Sequence, residues 1–344
     1  MLNLRKKSLP KYFPFILVLF SFLPAGYIGA DDAVPSKVIP LEENSPGIGF
    51  DDLRFSQSLN KVLVPGGRTG KLFLIDPADQ TVETIGGFSV SAKYWGGHDF
   101  GITSVDEGKG FLFTVDRTSK KLSVIDPAQK KIISSVALSG DPDYVRFVPS
   151  TEEVWVTEPD QAQIEIFKLA DSQLRPTGFI DVAGGPESLA MDPSQNLAYT
   201  HLWKGKTISL DLTARQILKD WPNYCRGSRG IALDETLGFL MAACAEGGIS
   251  VMAPGLDGRL LSRSSAAPGV DVISYNPTSS HVYTVSSDSG ILTIFLLSRE
   301  GQLSVLKTRT TERGAHCVVN DHNHIWVCDP AHGQIIYFNE EFLK

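Results

Sequence analysis

Val270-Asp271-Val272-Ile273-Ser274-Tyr275-Asn276-Pro277-Thr278-Ser279-Ser280-His281-Val282-Tyr283-Thr284-Val285 lies inside the stretch 268–307, and its reading decides the fold. The run Val272 to Tyr275 reaches a turn at Asn276-Pro277-Thr278-Ser279 and returns through His281 to Val285. A second turn, Ser286 to Gly290, leads to a third run over 291–297. Glu300-Gly301 then turns the chain into a fourth run from Leu303. Four short β-branched or alternating apolar runs divided by Gly, Pro, Asn, Asp and Ser predict a four-stranded antiparallel meander. One such meander exposes both faces of its sheet, so it needs copies to stack against.

The copies are present. Third-strand cores begin at Leu72, Leu122, Ile164, Thr207, Ile249, Leu292 and Ile335, at intervals of 50, 42, 43, 42, 43 and 43 residues. A repeat of about 40–45 residues holding four strands is the length of a propeller blade. No helical period runs between these cores, which excludes a parallel α/β sheet, and a two-sheet sandwich needs no such repeat. The expectation is an all-β, seven-bladed β-propeller of four-stranded antiparallel blades.

The whole chain has 344 residues, 42% apolar and 21% charged, with a formal charge of -7. That balance argues against nucleic acid as a partner, since a phosphate backbone calls for a basic face. Arg5, Lys6, Lys7 and Lys11 precede an apolar run over 12–23, and Ile28-Gly29-Ala30 leads to Asp31-Asp32. A basic start, a short apolar segment and a small residue at the cut predict a secretory signal peptide over 1–30. Retention as an uncleaved anchor is the alternative, although the run is shorter than the roughly 20 residues of a good span. Removing those four cations from 32 leaves 28 against 39 acids, a mature charge of -11. The expected location is the periplasm or the extracellular space, with no stable membrane span after processing.

Residues 31–47 form an N-terminal segment with one apolar run, Val38-Ile39-Pro40-Leu41, ahead of a propeller over 48–344. The last repeat shows three runs but no fourth, so the N-terminal run is expected to supply the outer strand and close the ring. Pro40 suits an outermost strand, which tolerates a lost donor. The one 50-residue interval comes from an insertion over 86–97 carrying Phe88, Tyr94 and Trp95. Those aromatics read either as a lid over one propeller face or as packing on the neighbouring blade. Asp76-Pro77, Asp126-Pro127 and Asp192-Pro193 recur after strands as turn chemistry.

Cys225 and Cys244 fall at the same end of one predicted hairpin, which leaves a disulfide geometrically open, and export favours it. Cys317 and Cys328 flank the corresponding hairpin of the last blade and could face each other, bridged or free. With no CxxC spacing, a zinc site is disfavoured.

The repeats resemble YVTN-type propeller repeats, similar to the YncE-like exported family. The resemblance rests on Leu122-Ser123-Val124-Ile125-Asp126-Pro127, on Ser228-Arg229-Gly230-Ile231-Ala232-Leu233-Asp234 with its flanking cysteines, on Gly269 to Pro277, and on Arg313-Gly314-Ala315-His316. The Tyr-Val-Thr-Asn signature itself is degraded, as in Val282-Tyr283-Thr284-Val285. What the resemblance implies is an exported ligand-binding or scaffolding propeller.

No nucleophile elbow, phosphate loop, zincin helix or calcium loop occurs. One constellation stands out: Asp51, Asp99, Asp143, Glu187, Arg229, Asp271 and His316 each precede a first strand, at intervals of 48, 44, 44, 42, 42 and 45. First strands are innermost, so these residues are expected to ring one mouth of the channel, as a solvated lining or as a ligand site. The cations flank Asp271 and leave an acidic arc that suits a small polyhydroxylated molecule or a cation such as Ca²⁺ or Mg²⁺. Two function classes follow: a non-catalytic binder or scaffold for a small molecule, cation or envelope protein, or a lactonase- or lyase-type enzyme. The enzyme would use Glu187 or His316 as base and Arg229 for a developing oxyanion, with or without a divalent metal.

Overall fold

The computed structural model describes residues 37–42 and 47–343. The predicted signal segment, 1–30, lies outside the described residues. Seven four-stranded antiparallel sheets follow one another, in blades spanning 54–86, 102–137, 145–181, 190–222, 228–264, 270–310 and 318–339. In six of them the strands run innermost to outermost in sequence order. The seventh takes its outer strand from the N-terminal side: Lys37–Pro40 pairs antiparallel with Gln334–Asn339, setting Ile39 opposite Ile335. The expected seven-bladed propeller with an N-terminal closing strand is therefore the architecture. Among the described residues no helix is long and apolar enough to cross a membrane.

Middle strands are apolar on both sides because each sheet is covered by a neighbour on each face. In the sixth blade His281–Ser286 is buried throughout, whereas the outer strand Leu303–Thr310 is largely exposed. Tyr283, Leu292 and Ile294 of that blade pack with Ile325, Val327 and Phe338 of the seventh. At the closure, Ile39, Phe50, Val62 and Phe73 join Trp326, Ile335 and Tyr337 in one core. The Asp-Pro turns act as expected, with Asp76 accepting from the Ala78 N–H at 2.8 Å and Asp126 from that of Ala128 at 2.9 Å.

The fifth-blade hairpin carries the Cys225–Cys244 disulfide, with 5.0 Å between the Cα atoms. Cys317 and Cys328 are buried and unbridged.

Inner strands run from one mouth of the channel to the other, so their starts and their ends build two separate sites. Between them Arg146 of the third blade reaches Asp52 of the first through two bonds, 2.6 and 3.1 Å. The guanidinium also lies 5.1 Å over the Tyr144 ring and donates to the Leu189 carbonyl. Ser104 adds a third bond to Asp52, 2.6 Å long, so this buried pair is fully hydrogen-bonded.

Candidate functional site

The mouth at the strand starts gathers most of the predicted ring. Asp51, Asp143 and Asp271 act electrostatically on one another, Asp143 and Asp271 act on Glu187, and Asp271 acts on Arg229 and His316. Asp99, exposed in the segment that follows the insertion, joins them only through its electrostatic action on Arg117. The inner position of the second blade is held by Thr103, whose carbonyl accepts from the Asp52 N–H at 3.1 Å. The His316 carbonyl takes the Val272 N–H in the same way at 3.1 Å. The insertion shifts the second blade's frame by four positions, and equal spacing follows the wrong aspartate.

The acidic arc also contains two cationic or ionisable groups that spacing did not reveal. Arg117 follows the strand Phe111–Asp116; its Nη2 hydrogen-bonds Asp143 and lies 3.8 Å from Asp51. His98, delivered by the end of the insertion, sets Nε2 3.9 Å from Asp51 and its ring 6.1 Å from that of His316. The insertion thus serves both predicted roles: Phe88 packs with the cluster joining the first two blades, and Tyr94 and His98 wall the mouth. Tyr94 also lies so close to Gly47 that a Cβ there would meet its ring at 2.3 Å, and Gly47 has a φ of +116°. That glycine lets the lid pack down.

Glu187 pairs with Arg229 at 2.9 Å, and the Arg229 guanidinium lies 5.7 Å over the Trp203 ring. His316 sets Nδ1 2.6 Å from the Gly314 carbonyl and Nε2 2.9 Å from the Phe50 carbonyl. Both nitrogens must donate, so the ring is an imidazolium with no lone pair to offer a proton or a metal. Burial opposes that charge, but the Cys328 sulfur, Asp271 and the two carbonyls outweigh it and hold His316 at about 9. His98 is the reverse: burial, with Arg117 and His316 nearby, lowers it to about 3 and keeps it neutral.

Burial is also the first cause of the raised carboxyls, ahead of like-charge crowding. It pushes Asp143 up to about 8 against Arg117, with Asp51 and Asp271 adding to the rise. Glu187 reaches about 8 through burial and Asp143, opposed by Arg229. Asp51 rises well above its usual range, again through burial first.

Two depressions open here, of about 250 and 440 Å³. His98, Arg229 and Asp271 wall both, Trp203 the smaller and Tyr94 the larger. Among the described residues, Asp51 Oδ2, His98 Nδ1 and Arg117 Nε are buried at this mouth without a hydrogen-bond partner; His98 and Arg117 line the depressions, and Asp51 lines neither. The mouth at the strand ends, about 490 Å³, contrasts with this. Most of its charges are engaged, Arg54 with Asp106 at 3.1 Å and Glu107 with Ser56, Ser58 and the Gln57 N–H, while Glu235 stands exposed. No buried polar atom of its lining lacks a partner among the described residues.

Asp51, His98 and Asp143, and likewise His98, Asp271 and His316, bring one ligand atom each within 4.8 Å of one another. Neither set suits a metal as arranged. Arg117 occupies Asp143 in the first, and His316 has both nitrogens committed in the second.

No protein-family model and no curated protein sequence matches the chain. Solved structures do match in fold. Hydrazine synthase of Kuenenia stuttgartiensis is similar with a TM-score of 0.71 at 11% identity, covering 87% of this chain and 97% of that one. The β-propeller domain of Myceliophteria thermophila Cps50 (Swd1) gives 0.71 at 13% identity, covering 89% and 99%. A chain of the mitotic checkpoint complex gives 0.74 at 13% identity, covering 98% and 99%. At these identities the likeness establishes the β-propeller fold and nothing finer.

Proposed function

We propose that this protein is an exported, non-catalytic propeller of the YVTN-repeat, YncE-like type that binds a small polyhydroxylated molecule at the mouth built around Asp51, Asp143, Glu187, Arg229 and Asp271. The observation that carries the reading is the set of unpartnered buried atoms there: an acceptor on Asp51, a donor on Arg117 and a ring nitrogen on His98. Left unpaired, each costs on the order of 1–3 kcal/mol, so a ligand that satisfies them is favoured. Hydroxyl groups both donate and accept, which fits a rim of alternating carboxyls and guanidinium groups. Trp203 and Tyr94 offer aromatic faces beside them, and the larger depression is of small-molecule size, for which roughly 300–1,000 Å³ is usual. Arg117 and Arg229 among the carboxyls favour an organic ligand over a bare hard cation.

The test is calorimetric titration with glucose, glucuronate, myo-inositol and calcium chloride, on wild type and on Asp143→Asn with Arg229→Gln. Saturable binding of a polyol that the double variant loses, with its fold intact by circular dichroism, supports the reading. Silence across the polyols, or equal binding by the variant, overturns it.

A lactonase- or lyase-type activity is the second reading, favoured by Glu187 with its pKa near 8 beside Arg229. Glu187 would be its base, because His316 has no free lone pair. Lactone turnover abolished by Glu187→Gln is its signature.

Export rests on the basic and apolar character of residues 1–30 and on the disulfide. The exported protein is expected to begin at or near Asp31, and an intact mass that retains residues 1–30 overturns this.

A further inference from the structure

Behind His316, outside the mouth, Cys317 and Cys328 face each other across the first two strands of the seventh blade. The register that pairs Val318 with Val327 sets them directly opposite. The Cys328 N–H donates to the Cys317 carbonyl at 3.1 Å. Its reciprocal bond is diverted: the Cys317 N–H donates to the Cys328 sulfur at 3.0 Å, and the His316 N–H points to the same sulfur at 3.4 Å. Both side chains are fully buried, in the core of Phe50, Val62, Trp326 and Ile335.

Such a pair is poorly placed to bond directly. Residues opposite each other on antiparallel strands hold their Cβ atoms about 4.5–5.5 Å apart, at the wide end in hydrogen-bonded pairs. A disulfide needs about 3.8 Å. The bridge that this molecule does form, Cys225–Cys244, is offset by a bulge, with Ser228 and not a cysteine opposite Cys244.

The two thiols already meet through a side-chain hydrogen bond, so a small ion can bridge them once the sulfurs part slightly. The two Sγ atoms and a His316 nitrogen lie within 4.8 Å of one another. Two metal–sulfur bonds of about 2.3 Å in line span about 4.6 Å. Thiolates select soft metals over Ca²⁺ and Mg²⁺, which take six or more oxygens. Zn²⁺ would want four ligands, and His316 has committed both nitrogens to carbonyls. A monovalent d¹⁰ ion needs only the two sulfurs. The resulting bis-thiolate carries one negative charge, and the imidazolium of His316 stands beside it to balance that charge. His316 also walls the 440 Å³ depression, so the sulfurs lie one side chain behind a solvent-reached surface.

We propose that Cys317 and Cys328 form a buried two-coordinate site for one soft monovalent metal ion, copper(I) or its analogue silver(I), with His316 as the adjacent counter-cation. Binding exchanges sulfur-bound protons for the ion and changes no oxidation state. The experiment titrates silver nitrate, in halide-free buffer, into the full mature protein with Cys225–Cys244 intact. It follows near-ultraviolet charge transfer and thermal stability. One equivalent should bind and raise the melting temperature. Binding should vanish in Cys317→Ser with Cys328→Ser, and His316→Gln should weaken it about 10-fold, as loss of an outer partner does. X-ray absorption on the wild-type complex should show two sulfur neighbours at about 2.3 Å, a readout independent of how the variants fold. Oxygen or nitrogen neighbours only, unchanged binding by the double variant, or a Cys317–Cys328 disulfide in non-reducing peptide maps each overturn the proposal.

Discussion

Asp143 and Glu187 are carboxyls that the fold keeps protonated to unusually high pH, both near 8. Their unfolded values lie near 4. Between those limits the native state holds protons that the unfolded chain has released. Their contribution to stability is therefore complete below about pH 4 and is lost as pH rises through about 8. Arg117 and Arg229 face them and offset part of the loss; Asp51 and Asp271 add to it. Asp143→Asn with Glu187→Gln removes the titration. The melting temperature of the variant should match wild type at or below about pH 4 and exceed it near pH 9; a gap that stays constant across that range would show these carboxyls titrating normally. At this scale the sequence was only partly legible. Equal spacing located Asp51, Asp143, Glu187, Arg229, Asp271 and His316, because one position per blade repeats with the backbone. It took Asp99 for the inner position that Thr103 holds, because an insertion resets the frame, although Asp99 still acts on Arg117, and it missed Arg117 and His98. Those two reach the mouth from a turn and a lid, where no period applies.

Elements were more legible than residues, for a physical reason. A strand covered on both faces is mostly apolar, so the third-strand cores marked the blades directly. Their starts fall inside or at the edge of Lys71–Ile75, Lys121–Asp126, Gln163–Ala170, Lys206–Asp211, Ile249–Ala253, Ile291–Leu297 and Gln334–Asn339. Hairpin geometry likewise brought Cys225 to Cys244, because the start of one strand lies beside the end of the next. The same reasoning brought Cys317 opposite Cys328 but left their chemistry open. What separates the two pairs is a bulge: the fifth blade's inner strand shifts register between Ser228 and Ile231, whereas residues 318–320 pair in regular register with 325–327. Bulges leave little trace in composition, and so the disulfide and the facing thiols could not be told apart from spacing. The insertion over 86–97 was visible as excess length, yet its course over the mouth depends on Gly47, which belongs to another segment.

For the molecule as a whole, stability depends on closing the ring. Adjacent blades share their cores pairwise, so a single open junction leaves two sheet faces to water and one bare edge, a template for association. Lys37–Pro40 protects that edge along Gln334–Asn339. Of its four residues only Ile39 is buried, at 6% exposure, whereas Val38 is 49% exposed. Pro40 ends the strand on the solvent side, where its missing N–H costs the sheet nothing. The closure therefore rests on Ile39, which is buried in the core shared by the first and seventh blades, on the half-buried Leu41 beside it, on the Glu42–Lys71 ion pair and on the backbone ladder. Ile39→Ala should lower unfolding free energy by about 2 kcal/mol, the low end for an isoleucine truncated in a core. Val38→Ala should change it by less than about 0.5 kcal/mol, as exposed substitutions do. Urea denaturation of the two variants measures both values. Light scattering on warming should rise earlier for Ile39→Ala, because the loosened strand uncovers the edge before the blades themselves unfold. Equal midpoints for the two variants would mean that the ring is held by the shared core alone and that the N-terminal strand only decorates it.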